Sequence, residues 1–354
     1  MKLGALQSVL AFLGRLALVQ AKATVGQAIV SLEDSNSPLL QYPTQFTQGI
    51  VPKQIHSHND CVSLSSWVVD GTAWYKYGVL TRPCDLDRSR RRTSDDKRGC
   101  KWEDWRDVPL LTALSYGAAS VEADVYLING TLFVGHETQA LTKDRTFDAL
   151  YIQPILQILR GTNHKSAFTG NGNSANGVFD TDSGFPLQLL VEIKGDGPTT
   201  LPAIVQALQP LREEGYLTTF ANGTLTQSAV TVVGTGNTPL DGVKALEPRD
   251  FFYDAPLTQL NDPSLNTKFD ATLSPLASTD WEIAVGWTGI GNISEGQLAN
   301  LTQFVGDAHA LGIKARFWDA PGWPIFARNA VWKVLAENGA DWLNADDLEA
   351  ASSF

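Results

Sequence analysis

Short apolar stretches that end in charged or polar side chains recur along this chain of 354 residues, with helical segments between them. The clearest is Ser120-Val121-Glu122-Ala123-Asp124-Val125-Tyr126-Leu127. Its apolar residues alternate with Glu122 and Asp124, so in a strand both carboxylates point to one face. Val134-Gly135-His136-Glu137 follows as a second short strand, and Leu189-Leu190-Val191-Glu192-Ile193-Lys194 is an apolar strand ending in charges. The stretch from Val51 to Asp60 starts as a strand and finishes in His56-Ser57-His58-Asn59-Asp60, with both histidines on one face. Strand ends are where parallel barrels gather catalytic groups, whereas unpaired carboxylates deep in a core cost several kcal/mol.

The rest of the chain continues the alternation. Helices are expected at Val108–Leu114, Phe147–Leu159, Leu201–Arg212, Gln297–Ala310 and Ile325–Glu337. Strands are expected at Ala229–Val233, Phe251–Tyr253, Ala271–Leu273, Ile313–Trp318 and Asp341–Asn344. Repeated β-then-α units without a Rossmann glycine fingerprint favour an α/β fold of the closed (β/α)8 TIM-barrel type over a doubly wound sheet. A barrel with insertions accommodates this length as a single domain over residues 51–354.

Residues 1–23 read as a targeting leader. Lys2 precedes a mainly apolar run from Leu3 to Val19, and Ala21-Lys22-Ala23 fits a signal-peptidase site, which favours a secretory signal peptide. Lys2, Arg15 and Lys22 with no acid before Glu33 keep a mitochondrial presequence as the alternative. Sequons at Asn129, Asn222, Asn292 and Asn300 are compatible with the secretory route. Residues 24–50 form a polar lead-in. No stretch is long and apolar enough for a transmembrane span. A net charge of −11 argues against nucleic acid as partner, since binding phosphate backbones calls for a cationic surface.

From about Cys61 to Lys101 the character changes. The segment holds all three cysteines and a third of the 27 basic residues, with little periodicity. It reads as an atypical insertion, either a disordered one or translated intron, and is expected to lack packed secondary structure.

Glu122, Asp124 and Glu192 offer three hard oxygen ligands, suited to a divalent cation, Mg²⁺ or Ca²⁺. Two histidines beside such an ion can serve as general base and general acid, and Lys194 can neutralise an oxyanion. That combination suits chemistry at a phosphodiester.

Ile55-His56-Ser57-His58-Asn59-Asp60, Ser120–Val125, Val134–Glu137 and Leu190–Lys194 together resemble the motifs of the phospholipase-C-like phosphodiesterase superfamily. Within it the chain is most similar to the fungal altered inheritance of mitochondria protein six group, with glycerophosphodiester phosphodiesterases as more distant relatives. The likeness runs from about Ile50 to the C-terminus. It implies a metal-dependent phosphoric diester hydrolase of TIM-barrel fold, with His56, His136 and Lys194 catalytic and Glu122, Asp124 and Glu192 on the metal. Glycerophosphodiesterases carry His-Arg-Gly where this chain has His56-Ser57-His58, so the arginine expected near phosphate is missing and His58 competes with His56 for the catalytic role. Asn59 and Trp318 are further candidates for phosphate binding or catalysis. The implied partner is a small phosphodiester or phospholipid headgroup, with transient membrane-surface contact and neither nucleic acid nor a membrane span. The alternative is a barrel that binds metal or phosphate without turnover.

Overall fold

Eight parallel strands form a closed barrel: β1 (Lys53–Ser57), β2 (Ala118–Ile128), β3 (Leu187–Ile193), β4 (Val230–Gly236), β5 (Phe252–Pro256), β6 (Leu276–Asp280), β7 (Lys314–Trp318) and β8 (Leu343–Ala345). Each strand pairs in parallel with its neighbours in that order, and β8 returns to β1. A parallel bridge between Arg316 and Trp342 joins β7 to the residue just before β8 and closes the ring. The structure is a computed structural model, and it describes residues 47–58, 108–163 and 175–354, with the backbone alone of Ser66–Val69 and Thr72–Tyr75.

The strands read as they do because both faces of the barrel wall are covered. In β2, Val121, Ala123 and Val125 are buried on one side, while Ser120, Glu122 and Asp124 on the other are buried as well. β3 is almost continuously apolar and buried, with Gln188 as its inward polar exception before Glu192. Between strands run the helices Pro109–Ser115, Gln153–Thr162, Gly197–Ala207, Glu295–Ala310 and Ile325–Glu337. Their starts follow local chemistry. Pro109 and Pro154 sit in first turns, Asp196 accepts from Thr199 N at 2.9 Å, and Ser294 with Gln297 forms a capping box.

Three expectations need correction. The strand leading to His136 is not a barrel strand: Thr131–Val134 pairs antiparallel with β2 across Asn129-Gly130, both at positive φ, as a two-residue hairpin turn requires. The sixth barrel strand is Leu276–Asp280, not Ala271–Leu273, which lies in a turn where Asp270 accepts from the backbone of Thr272 and Leu273. The helix expected at Leu201–Arg212 is two, Gly197–Ala207 and Gln209–Glu213. Within the segment expected to lack packed secondary structure, the backbones of Ser66–Val69 and Thr72–Tyr75 pair antiparallel, with Trp67 opposite Trp74 in register. The rest of that segment lies outside the described residues, as do the leader at 1–23 and all of the lead-in except Thr47–Ile50.

Candidate active site at the C-terminal mouth of the barrel

Inward-facing polar residues of neighbouring strands meet at one level. Register places Asp124 opposite Glu192 and Glu192 opposite Thr235, while His56 stands opposite both Ser120 and Asn344. Glu122, Asp124 and Glu192 each present one oxygen, all within 4.8 Å of one another. Room for Glu192 comes from Gly236, whose φ is +62°. A Cβ there would stand 2.6 Å from Glu192 Cγ.

His56 is fully buried, with Nε2 2.9 Å from Glu122 Oε2 and Nδ1 2.7 Å from Ser120 Oγ. Gln188 donates to the same Ser120 hydroxyl at 2.8 Å, so the hydroxyl hydrogen is available to Nδ1 and the imidazole proton sits on Nε2. Burial, helped by the nearby Arg316 guanidinium, lowers the His56 pKa to about 3, which keeps the ring neutral. Arg316 is itself buried, donating from Nη2 to Glu122 Oε2 and from Nε to Asn344 Oδ1, both at 2.9 Å. Although burial alone would raise the Glu122 pKa, Arg316 and the bond from His56 bring it well below the carboxylate range.

The opposite side is arranged around Asp124. Its Oδ2 lies 3.1 Å from His136 Nδ1 and 3.5 Å from Lys194 Nζ, and Lys194 also pairs with Glu192 Oε2 at 2.9 Å. Tyr126 donates to the His136 carbonyl at 3.0 Å, and Tyr151 to the Glu122 carbonyl at 2.7 Å. These bonds fix the segment that follows the returning strand of the hairpin and the centre of β2. Burial pushes Glu192 up to about 7, with the charges of Asp124 and Glu122 adding to the effect. Three clustered carboxylates without a cation carry that penalty. Asp124 Oδ1 is buried with no hydrogen-bond partner, as expected of an oxygen meant for an ion rather than for protein donors. A Glu/Asp/Glu set of hard oxygens therefore fits a divalent cation such as Mg²⁺ or Ca²⁺.

His58 lies at the edge of the mouth, with Nδ1 3.0 Å from Asp346 Oδ1. Burial acts against its charged form, but the Asp346 carboxylate raises its pKa above the ordinary value. Trp318 ends β7 and is partly exposed, with Asp280 opposite it in register. Asn59 lies outside the described residues. Sequence reasoning missed Arg316, Asn344, Ser120 and Gln188 as members of this cluster. It also missed Asp254 on β5, whose pKa burial raises to about 6 and whose Oδ1 has no hydrogen-bond partner. The available signal was period-two alternation, which puts Arg316 on the inward face of β7 and Asp254 on that of β5.

Comparison with known proteins adds family to geometry. The AIM6-like phosphodiesterase domain family matches residues 100–254, which include Glu122, Asp124, His136, Glu192 and Lys194. The altered inheritance of mitochondria protein 6 homolog of Arthroderma benhamiae is 39% identical over 92% of this chain and 91% of its own length. The chain belongs to the altered inheritance of mitochondria protein 6 family. Family members from Eremothecium gossypii and Candida glabrata are 35% and 30% identical over 71% of the chain, and 67% and 69% of theirs. A crystal structure of a glycerophosphodiester phosphodiesterase from Parabacteroides distasonis matches 70% of this chain and 89% of its own at 12% identity, with a TM-score of 0.38. The family's name refers to mitochondria, which overturns the expectation that residues 1–23 address the chain for secretion. No helix among the described residues is long and apolar enough to cross a membrane.

Proposed function

We propose that this protein is a divalent-cation-dependent phosphoric diester hydrolase associated with mitochondria, acting at the mouth lined by Glu122, Asp124, Glu192, His56, His136 and Lys194. The observation that carries the reading is the buried, partnerless Asp124 Oδ1 within a three-carboxylate cluster, flanked by imidazoles on both sides. A bound ion would supply Lewis-acid polarisation of the phosphoryl oxygens and balance their charge. Lys194, held against Glu192 and Asp124, adds a positive charge beside the position where negative charge develops.

The imidazoles divide the proton transfers. His56 is neutral, as a base must be, but its Nε2–H is held by Glu122, so accepting a proton requires Nδ1 to exchange its bond from Ser120. His136, held through Nδ1 by Asp124 and standing beside Lys194, is the second imidazole of the pair. In the balanced step, one ring takes the proton of the attacking hydroxyl as its oxygen bonds to phosphorus. The ester P–O bond breaks, and the other ring gives its proton to the departing oxygen. Where the substrate carries a hydroxyl next to the diester, that hydroxyl is the nucleophile and the first product is a cyclic phosphate. A second assignment has its own observation: Asp346 favours the protonated form of His58, which suits it as the acid.

Hydrolysis of bis(p-nitrophenyl) phosphate with and without EDTA tests the reading. Activity that chelator abolishes and Mg²⁺ or Ca²⁺ restores supports it. Ion binding with no turnover of any diester would support a barrel that only binds.

A further inference from the structure

Ten large hydrophobic side chains are exposed among the described residues. Six of them, Ile283, Ile290, Trp318, Trp323, Ile325 and Phe326, fall at or after the ends of β6 and β7, on the barrel end that carries the acids and histidines. The two connections form one lip. Asp280 and Trp318 face each other in register where the strands end. Farther out, Gly289, at φ +77°, lies so close to the next connection that a Cβ would stand 2.1 Å from the Ala327 carbonyl oxygen.

The lip is held from below. Asp280 Oδ1 accepts from Ile283 N at 3.0 Å, Trp281 Nε1 donates to the Trp287 carbonyl at 2.7 Å, and the Trp281 ring packs edge-on against Phe317 at 5.9 Å. These inward anchors leave Ile283 84% exposed, Phe326 64% and Trp323 61%. Preformed apolar surface of this kind, concentrated beside a functional mouth, marks an interaction site rather than ordinary surface scatter.

Charge narrows the partner. Across residues 281–294 and 318–327 the only charged side chains are Glu282 and Asp319, with no lysine, arginine or histidine. An anionic membrane or nucleic acid would be repelled. A two-fold contact with a second copy would bring the Glu282 and Asp319 carboxylates of both lips together with no cation to balance them, and would cap both mouths. Tryptophan beside aliphatic side chains suits the boundary between headgroups and acyl chains, where the apolar effect needs no basic residues.

We propose that this lip docks on the interfacial zone of a zwitterionic lipid bilayer, so that the diester entering the mouth is carried by a lipid. The docking stands on the lip alone. Only the lipid-borne diester rests on the phosphodiesterase reading.

The test is co-sedimentation of the full chain with phosphatidylcholine vesicles at low and high salt. The comparison is with Trp323→Ser/Phe326→Ser and, on the other connection, Ile283→Ser, with thermal melts to confirm that each variant folds. We expect salt-insensitive binding, at least about tenfold weaker in the double variant and visibly weaker in the single one, because each side chain returns its apolar surface to water. Hydrolysis of soluble bis(p-nitrophenyl) phosphate should be unchanged in these variants, while turnover of a vesicle-borne diester falls. Four results would overturn the proposal: no vesicle binding, binding indifferent to all three substitutions, binding only to anionic vesicles that salt abolishes, or a dimer that the substitutions dissociate. Vesicle binding with no diester turned over would leave the docking standing and remove the phosphodiesterase reading.

Discussion

Arg316, on β7, reaches Glu122, on β2, and donates to its Oε2 at 2.9 Å with both side chains buried. The same oxygen lies 2.9 Å from His56 Nε2. One carboxylate oxygen thus fixes a guanidinium and an imidazole, and Arg316 supplies, from a different strand, a positive charge at the mouth that the His56-Ser57-His58 sequence lacks.

Replacing Arg316 by leucine leaves Glu122 buried beside a neutral imidazole. Breaking a buried pair from one side costs about 3–5 kcal/mol. Urea unfolding of the metal-free protein should therefore show a lower midpoint with an unchanged slope. Arg316→Lys keeps the charge but loses the fork that holds Glu122 and Asn344 together, so it should recover only part of the stability. Full recovery by lysine would mean that charge alone matters here.

Glu122→Gln and His136→Asn separate binding from turnover. By calorimetry, Glu122→Gln should lose most of its affinity for Mg²⁺ or Ca²⁺, since it removes one of three clustered carboxylates. His136→Asn should bind the ion nearly as well as the parent and turn over on the order of 10² to 10⁴ times more slowly, the usual effect of losing an acid–base group. Equal loss of the ion in both variants would make His136 a ligand.

How much of this was legible depended on which side of the barrel wall a residue faces. β3 and the inward acids of β2 announce themselves because outward apolar neighbours frame them, and so the Glu122, Asp124 and Glu192 cluster could be named in advance. β6 could not, since Leu276-Ala277-Ser278-Thr279-Asp280 carries polar residues on its inward face and lacks the β-branched run of β4. Arg316 was hidden for the opposite reason. A lone arginine between Ala315 and Phe317 reads as a surface interruption until a partner 194 positions away is brought beside it. Asn129-Gly130-Thr131 reads as a sequon, and its first two residues equally as a two-residue turn. As a hairpin signal, it would have taken the His136 strand out of the barrel.

Gly236→Ala tests the space behind Glu192. At φ +62° an alanine carries about 1–2 kcal/mol of backbone strain, and its Cβ would meet Glu192 Cγ at 2.6 Å. The expected outcome is a modest drop in thermal stability with a larger loss of ion affinity. A variant that loses stability yet binds the ion as before would show that Glu192 reaches it from another rotamer.

The last prediction concerns pH. Burial and the charges of Asp124 and Glu122 raise Glu192 from the ordinary 4.5 to about 7, so between those values the folded, metal-free protein holds a proton that the unfolded chain has released. With more protons bound in the folded state, the slope of stability against pH is negative in that window. Glu192 thus contributes stability that is fully present below about pH 4.5 and lost as pH rises through about 7. The ion reverses the trend, because it binds the carboxylate and not the acid. Affinity for Mg²⁺ or Ca²⁺ should weaken as pH falls below about 7 and level off above it, with proton release on binding. Calorimetry at pH 6 in two buffers of different ionisation enthalpy reads that release directly. Glu192→Gln should abolish the released proton along with most of the affinity. A binding enthalpy that does not depend on the buffer would mean that Glu192 is already ionised when the ion arrives.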